Sequence, residues 1–169
     1  MNARAHPSFA LRPYLAADAP LLADIFRASI ADLTGDDYSP SQQGAWAATA
    51  DDMEAVEARL AGALTLVATM NGTSPVGFIS LQGAEQIDML YVHPAVAGQG
   101  VGAMLCNAVE TLAAARGAER LKVDASDTAV PFFEKRGYAA QQRNTVTRGE
   151  EWFANTTMEK KLISKGARP

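Results

Sequence analysis

The sequence predicts a single α/β (α+β) domain, a mixed sheet with helices packed on its faces. A chain of 169 residues suits one domain and one sizeable core without a linker. Its 48% hydrophobic and 20% charged residues match a folded globular protein. Its apolar spacing switches between strand and helix periods in the order strand, two or three helices, three strands, helix, strand, helix, two strands. No internal repeat is visible.

Residues 9–14 read as an opening strand, and residues 19–33 as a helix with Leu22, Ile25, Phe26, Ile30 and Leu33 on one face. After the turn-rich Thr34-Gly35-Asp36-Asp37, residues 38–46 begin a second helix, with Ser39 and Ser41 as caps around Pro40. Thr49-Ala50-Asp51-Asp52 resembles a capping box opening a third helix, which presents Met53, Val56 and Leu60 and stops at Gly62. Residues 64–70 and 76–82 are strand-like and joined by an Asn71-Gly72 turn; residues 86–92 form the next strand. From Val101, the spacing of Leu105, Ala108, Val109 and Leu112 gives a helix ending near Arg116-Gly117. Residues 121–125 read as a strand. Residues 128–136 read as a short helix capped by Asp127 or Thr128 and ended by Gly137. Residues 143–147 and 152–158 form a closing hairpin, and residues 164–169 a mobile tail.

Composition narrows the function. A net charge of -4, with no basic run longer than Lys135-Arg136 or Lys160-Lys161, argues against a nucleic-acid partner. Cys106, the one cysteine, cannot close an intramolecular disulfide and reads as a small buried side chain. With His6 and His93 the only histidines, no metal site is expected. Arg12, Pro13, Asp18 and Pro20 interrupt the first apolar stretch, as no secretory core would tolerate. The uncharged run of residues 61–84 has the length of a membrane span, but Asn71-Gly72-Thr73-Ser74-Pro75 in its middle makes it a hairpin. The expectation is a cytoplasmic protein without a membrane partner.

The chemistry centres on Ala97-Gly98-Gln99-Gly100-Val101-Gly102. Three glycines let backbone approach a ligand closely, and the helix that follows aims unpaired amides and a positive dipole end at it, which suits a diphosphate. Gly98, Gly100 and Ala103 also satisfy a dinucleotide fingerprint, with Asp124 near the distance of a ribose ligand. In that fingerprint the glycines follow their strand almost at once, whereas His93-Pro94-Ala95-Val96-Ala97 intervenes here. An NAD(P)-binding oxidoreductase therefore stays as the weaker alternative.

Ile87-Asp88-Met89-Leu90-Tyr91-Val92-His93-Pro94 followed by the glycine turn resembles the strand, pyrophosphate loop and helix of the GNAT superfamily of acetyl-CoA-dependent N-acetyltransferases. Ala129-Val130-Pro131-Phe132-Phe133-Glu134-Lys135-Arg136-Gly137-Tyr138 resembles that family's later A-x-x-F-Y-E-K-x-G-F segment at the expected distance. The resemblance implies an N-acetyltransferase domain over residues 1–163. Its sheet would be mostly antiparallel, with a fourth strand splaying from the fifth at a bulge and helices on both faces. It implies acetyl-CoA as acyl donor, its pantetheine arm paired with the backbone of Leu90, Tyr91 and Val92. The pyrophosphate would rest on the amides of Gly98, Gln99, Gly100, Val101, Gly102 and Ala103, with Ser126, Ala129 and Phe133 along the arm's other side. Three positions depart from the pattern. Ala97 stands for the loop's usual Arg or Gln, and Ser126 where Asn is frequent. Phe133 replaces the Tyr that commonly protonates the departing thiolate, which leaves Tyr91 and Tyr138 as substitutes.

An alkylammonium has a pKa of about 10, so at pH 7 only about one molecule in a thousand is ready to attack a thioester. A base or a water relay is needed. Asp88 shares side-chain parity with Gln86, where an ungapped reading places the carboxylate used by some members, and is the candidate. Glu85, His93 and Asp124 are its rivals. For the acceptor, the resemblance places Phe26, Tyr38 and Trp46 on one side of the cleft and Trp152, Phe153 and Asn155 of the closing hairpin on the other. Such aromatic walls favour a small amine or amino-acid-like acceptor over a peptide amine. The missing Arg and Tyr keep a non-catalytic acyl-CoA-binding module as an alternative. The hairpin edge could also pair two copies into a homodimer.

Overall fold

The structure is a computed structural model and describes residues 7–163. Seven strands form one sheet in the order β1-β2-β3-β4-β5-β7-β6: β1 (Phe9–Pro13), β2 (Leu64–Met70), β3 (Ser74–Gln82), β4 (Gln86–Val92), β5 (Arg120–Ser126), β6 (Ala139–Arg148) and β7 (Glu151–Lys161). Helices α1 (Ala19–Leu33), α2 (Pro40–Ala48) and α3 (Met53–Ala61) cover one face; α4 (Val101–Ala115) and α5 (Val130–Lys135) cover the other. Every strand pair is antiparallel except β4–β5. That pair is parallel because α4 carries the chain back across the sheet between them. The predicted mixed, mostly antiparallel sheet with helices on both faces is the observed one. The expected tail, residues 164–169, lies outside the described residues.

Local chemistry sets the elements. Asp18 stops the chain between β1 and α1: its carboxylate accepts from both Arg12 guanidinium nitrogens at 2.7 and 2.8 Å and from the Leu15 amide at 2.8 Å. Ser39 caps α2, its hydroxyl accepting from the Gln42 amide while the Gln42 side chain accepts from the Ser39 amide. Asn71 and Gly72 both take positive φ, 52° and 81°, and with Thr73 form the connection between β2 and β3, the Thr73 amide donating to the Met70 carbonyl. The uncharged run therefore folds as β2–β3. Among the described residues no helix is long and apolar enough to cross a membrane.

Three local expectations are corrected. The box at Thr49 does not form, because the Thr49 hydroxyl donates to the Trp46 carbonyl and Asp52 alone caps α3. Neither Asp127 nor Thr128 caps α5. Asp127 accepts from Arg143 and the Thr128 hydroxyl donates to Asp37, so the helix begins at Val130 after an Ala129 cap. The closing hairpin is longer than its alternation suggests, 10 and 11 residues, since pairing with β7 carries the polar start of β6 into the ladder.

Two cores result. Ile87, Leu105, Val109, Leu121 and Phe133 pack beneath α4 and α5, with Cys106 fully buried among them and its thiol pushed up to about 12 by burial. Leu22, Ile30, Val67, Phe78 and Met89 pack beneath α1 to α3.

Candidate active site

The site begins as a fault in the ladder. β4 and β5 pair only at Gln86 with Lys122 and Ile87 with Val123, and then diverge. Against β3, Ser80 pairs with Met89 and Leu81 with Ile87, so Asp88 is the unpaired residue of a β-bulge. The bulge resets the alternation: Met89 and Tyr91 enter the core under α1 to α3, while Leu90 and Val92 turn to the opposite one. Beyond it, Leu90, Tyr91 and Val92 are paired with Ile79, Phe78 and Gly77 on one side, and their other backbone edge faces the fork. A cleft of about 350 Å³ opens there.

Most of the candidate residues converge on it. Asp88, Leu90 and Tyr91 line its β4 side, with Asp124, Ser126, Ala129 and Phe133 across the fork. Phe26, Tyr38 and Trp46 wall it from the helices, Phe153 and Asn155 from β7. Ser126 is held by accepting the Ala129 amide at 3.2 Å. Val92 is packed against the core, so a part for it can only be a backbone part. The glycine turn stands where β4 leads into α4. A short 3-10 turn, Pro94–Val96, capped by His93, fills the gap between them. Gly98 and Gly100 take φ of 77° and 86° with open space where a side chain would be, and Gly100 caps α4. The first amides of α4, at Val101, Gly102 and Ala103, have no intrahelical acceptor by geometry. Such a cradle fits an anionic group held by backbone alone.

Other candidates fall elsewhere. Trp152 lies outside the cleft, 66% exposed, because strand alternation turns its neighbour Phe153 inward; it contributes only a carbonyl that accepts from Gln42. Tyr138 packs on Phe133 in the core beneath α4, its hydroxyl buried without a hydrogen-bond partner and away from the cleft. The His93 imidazole accepts the Ala95 amide as a turn cap, and Glu85 lies against Arg120; neither lines the cleft. Tyr38 is spoken for at both ends of its hydroxyl, which donates to the Ala154 carbonyl and accepts from the Asp127 amide, pinning the α1–α2 connection to β7.

Two arginines were not legible as site residues. Arg59 of α3 grips both Asp88 oxygens, Nε at 2.6 Å and Nη2 at 2.8 Å. Arg148 at the end of β6 sets its guanidinium over the rings of Phe153 and Trp46. A guanidinium on the polar face of a helix gives no sequence signal for a partner 29 residues away, and Arg148 reads simply as the start of a turn. Tyr91 completes the floor inside an aromatic cluster, its ring centroid 4.6 Å from Phe26 and 5.8 Å from Phe78. Burial pushes its hydroxyl up to about 12, opposed by the Trp46 side chain and by Arg148 and Arg59.

A family model described as an acetyltransferase (GNAT) domain matches residues 34–162. The chain belongs to the GNAT family. It is an acyltransferase, and the oxidoreductase and non-catalytic readings are set aside. An uncharacterized N-acetyltransferase of Escherichia coli K12, YafP, is 34% identical over 151 residues, 89% of this chain and 95% of that one. A peptidyl-lysine N-acetyltransferase of Salmonella typhimurium, YjaB, is 38% identical over 80 residues, 47% of this chain and 53% of its own length. Among solved structures, a GCN5-related N-acetyltransferase from Rhodopseudomonas palustris is 61% identical with a TM-score of 0.88, covering 90% of this GNAT chain and 95% of the other. The PaiA N-acetyltransferase of Thermoplasma acidophilum, solved with coenzyme A, shares the fold at 20% identity and a TM-score of 0.76, covering 92% and 99%.

Proposed function

We propose that this GNAT enzyme moves an acetyl group from acetyl-CoA to the primary amine of a small molecule, by direct attack without a covalent enzyme intermediate. The observation that carries the reading is the fork itself. A strand edge with free backbone groups leads, through the Pro94–Val96 turn, to a helix N-terminus that has open positive-φ glycines in front of it. On this reading the backbone of Leu90, Tyr91 and Val92 pairs with the amide-bearing arm of the donor. The amides of Gly98, Gly100, Val101, Gly102 and Ala103 hold its pyrophosphate, that of Gln99 being taken by the Val96 carbonyl, while Ser126, Ala129 and Phe133 line the arm's far side. When bound, acetyl-CoA supplies a thioester carbonyl open to an amine.

Asp88 holds the amine beside that carbonyl and accepts its proton directly or through water. Its two oxygens already face the Arg59 fork, so the pair is a fixed, charge-compensated acceptor rather than an isolated carboxylate. Tyr91 keeps its proton across the physiological range and on this reading donates it to the leaving sulfur, the part that Phe133 lacks a hydroxyl to play. Tyr38, Trp46, Phe153 and Asn155 border the acceptor's space, which is closed by helices on one side and the hairpin on the other. Such enclosure favours a small molecule, and a lysine side chain on a peptide is the competing acceptor. Free-thiol release from acetyl-CoA, followed over a panel of small amines and lysine peptides, is the test. Steady release with small amines is the expected result. Release with peptides alone would overturn the acceptor class, and release with none the catalytic reading.

A further inference from the structure

We propose that Arg148 reads a carboxylate on the acceptor, so that the preferred acceptor is a zwitterionic amino acid rather than a simple amine or a lysine-bearing peptide. The inference rests on the acetyl-transfer reading only for calling the bound molecule an acceptor; the recognition itself is a property of the cleft.

Four charged side chains line the cleft: Arg59, Asp88, Asp124 and Arg148. Arg59 and Asp88 neutralise one another through two hydrogen bonds. Arg148 and Asp124 make no ion pair among the described residues. Glu151 is the cross-strand neighbour of Arg148 and still forms no ion pair with it. Arg148 is nonetheless held. Its guanidinium carbon lies 4.9 Å from the Phe153 ring centroid and 5.4 Å from that of Trp46. The two rings stand at 74° to one another, so the guanidinium can lie flat on one of them at most; among the described residues its N–H groups make no hydrogen bond, which leaves donors for a carboxylate. Asp124 of β5, on the same side of the fork as the hairpin, accepts from the Thr157 hydroxyl at 2.6 Å. Arg148 is thus the cleft cation without an anionic partner among the described residues, since Arg59 is answered by Asp88. An acceptor whose amine faces Asp88 and which carries a carboxylate supplies that partner. A simple amine would leave the guanidinium without a counter-charge, and a phosphate dianion would meet a single cation.

The experiment compares the twenty L-amino acids and a series of ω-amino acids with their primary amides and with a lysine peptide, all against acetyl-CoA. The expected result is kcat/KM about tenfold or more higher for the acids than for their amides, the size of one charge-assisted contact. Arg148→Met keeps an apolar stem over Trp46 and Phe153 but removes the donors. It should raise KM for the acids about tenfold with KM for acetyl-CoA unchanged, and so lower the acid-to-amide ratio of kcat/KM about tenfold; Arg148→Lys should fall between. Equal use of acids and amides by the unaltered enzyme overturns the proposal, as does preference for the peptide, or an equal loss on acids and amides in Arg148→Met. If Arg148→Met does not fold, the acid-to-amide ratio of the unaltered enzyme decides. Melting of the CoA-saturated protein provides a readout independent of turnover. Stabilisation by acids and not amides without thiol release would support the carboxylate site while overturning acetyl transfer; neither stabilisation nor release would overturn both.

Discussion

At the scale of the residue, the site turns on what surrounds Asp88. A bulge makes it the one β4 residue without a partner on β3, and Arg59 then fixes both of its oxygens. Asp88→Asn should lower kcat about a hundredfold with the affinity for CoA unchanged, measured by steady-state kinetics and titration. An unchanged kcat there, with a loss in Asp124→Asn, would move the proton acceptor to Asp124. For Tyr91, burial disfavours the phenolate, so the donor form is lost only as pH rises through about 12. Tyr91→Phe is expected to cost at least about tenfold in kcat. An alkaline limb well below 12 that persists in Tyr91→Phe belongs to another group.

At the scale of the element, the glycine turn and the start of α1 are the sensitive joints. Gly100 sits at φ 86° with nothing within 4 Å of an added Cβ, so Gly100→Ala meets strain and no clash. That substitution should cost about 1–2 kcal/mol in urea unfolding and weaken CoA binding by tilting the first amides of α4. At the other joint, Arg12 hydrogen bonds hold the Asp18 carboxyl below its ordinary 3.8, opposed by burial and helped by the Leu15 amide. A carboxyl lowered on folding contributes stability above its unfolded value and loses it as pH falls through the folded one. Acid unfolding of Asp18→Asn should therefore depend less steeply on pH below about 4. It should also start from a protein about 2 kcal/mol less stable at neutral pH.

At the scale of the molecule, the parallel β4–β5 pair within an antiparallel sheet creates the fork on which binding depends. A ligand that binds the folded state alone raises stability by about 2.7 kcal/mol at a hundred times its Kd. Calorimetry should show that gain with CoA and none with NAD; the reverse would sink the CoA reading. The long hairpin also matters at this scale. β6 and β7 bring Arg148, Phe153 and Asn155 to a cleft whose floor is formed some sixty residues earlier, a juxtaposition that depends on β7 lying between β5 and β6.

By itself the sequence determined what local chemistry can encode. Helix α1 followed from apolar spacing, the α2 cap from Ser39 and Gln42, the β2–β3 hairpin from Asn71-Gly72, and the strand-to-helix glycine turn from three glycines at fixed offsets. Each is decided within a few residues by backbone sterics and hydrogen bonding, so each is written where it acts. Only the tertiary structure decided which side chains share the cleft. Ion pairing of Arg59 with Asp88, the setting of Arg148 over the rings of Phe153 and Trp46, the inward turn of Phe153 in place of Trp152 and the withdrawal of Tyr138 into the core all join residues far apart in the chain. Such contacts carry no periodicity, because charge and shape meet across elements only after the sheet has set their register.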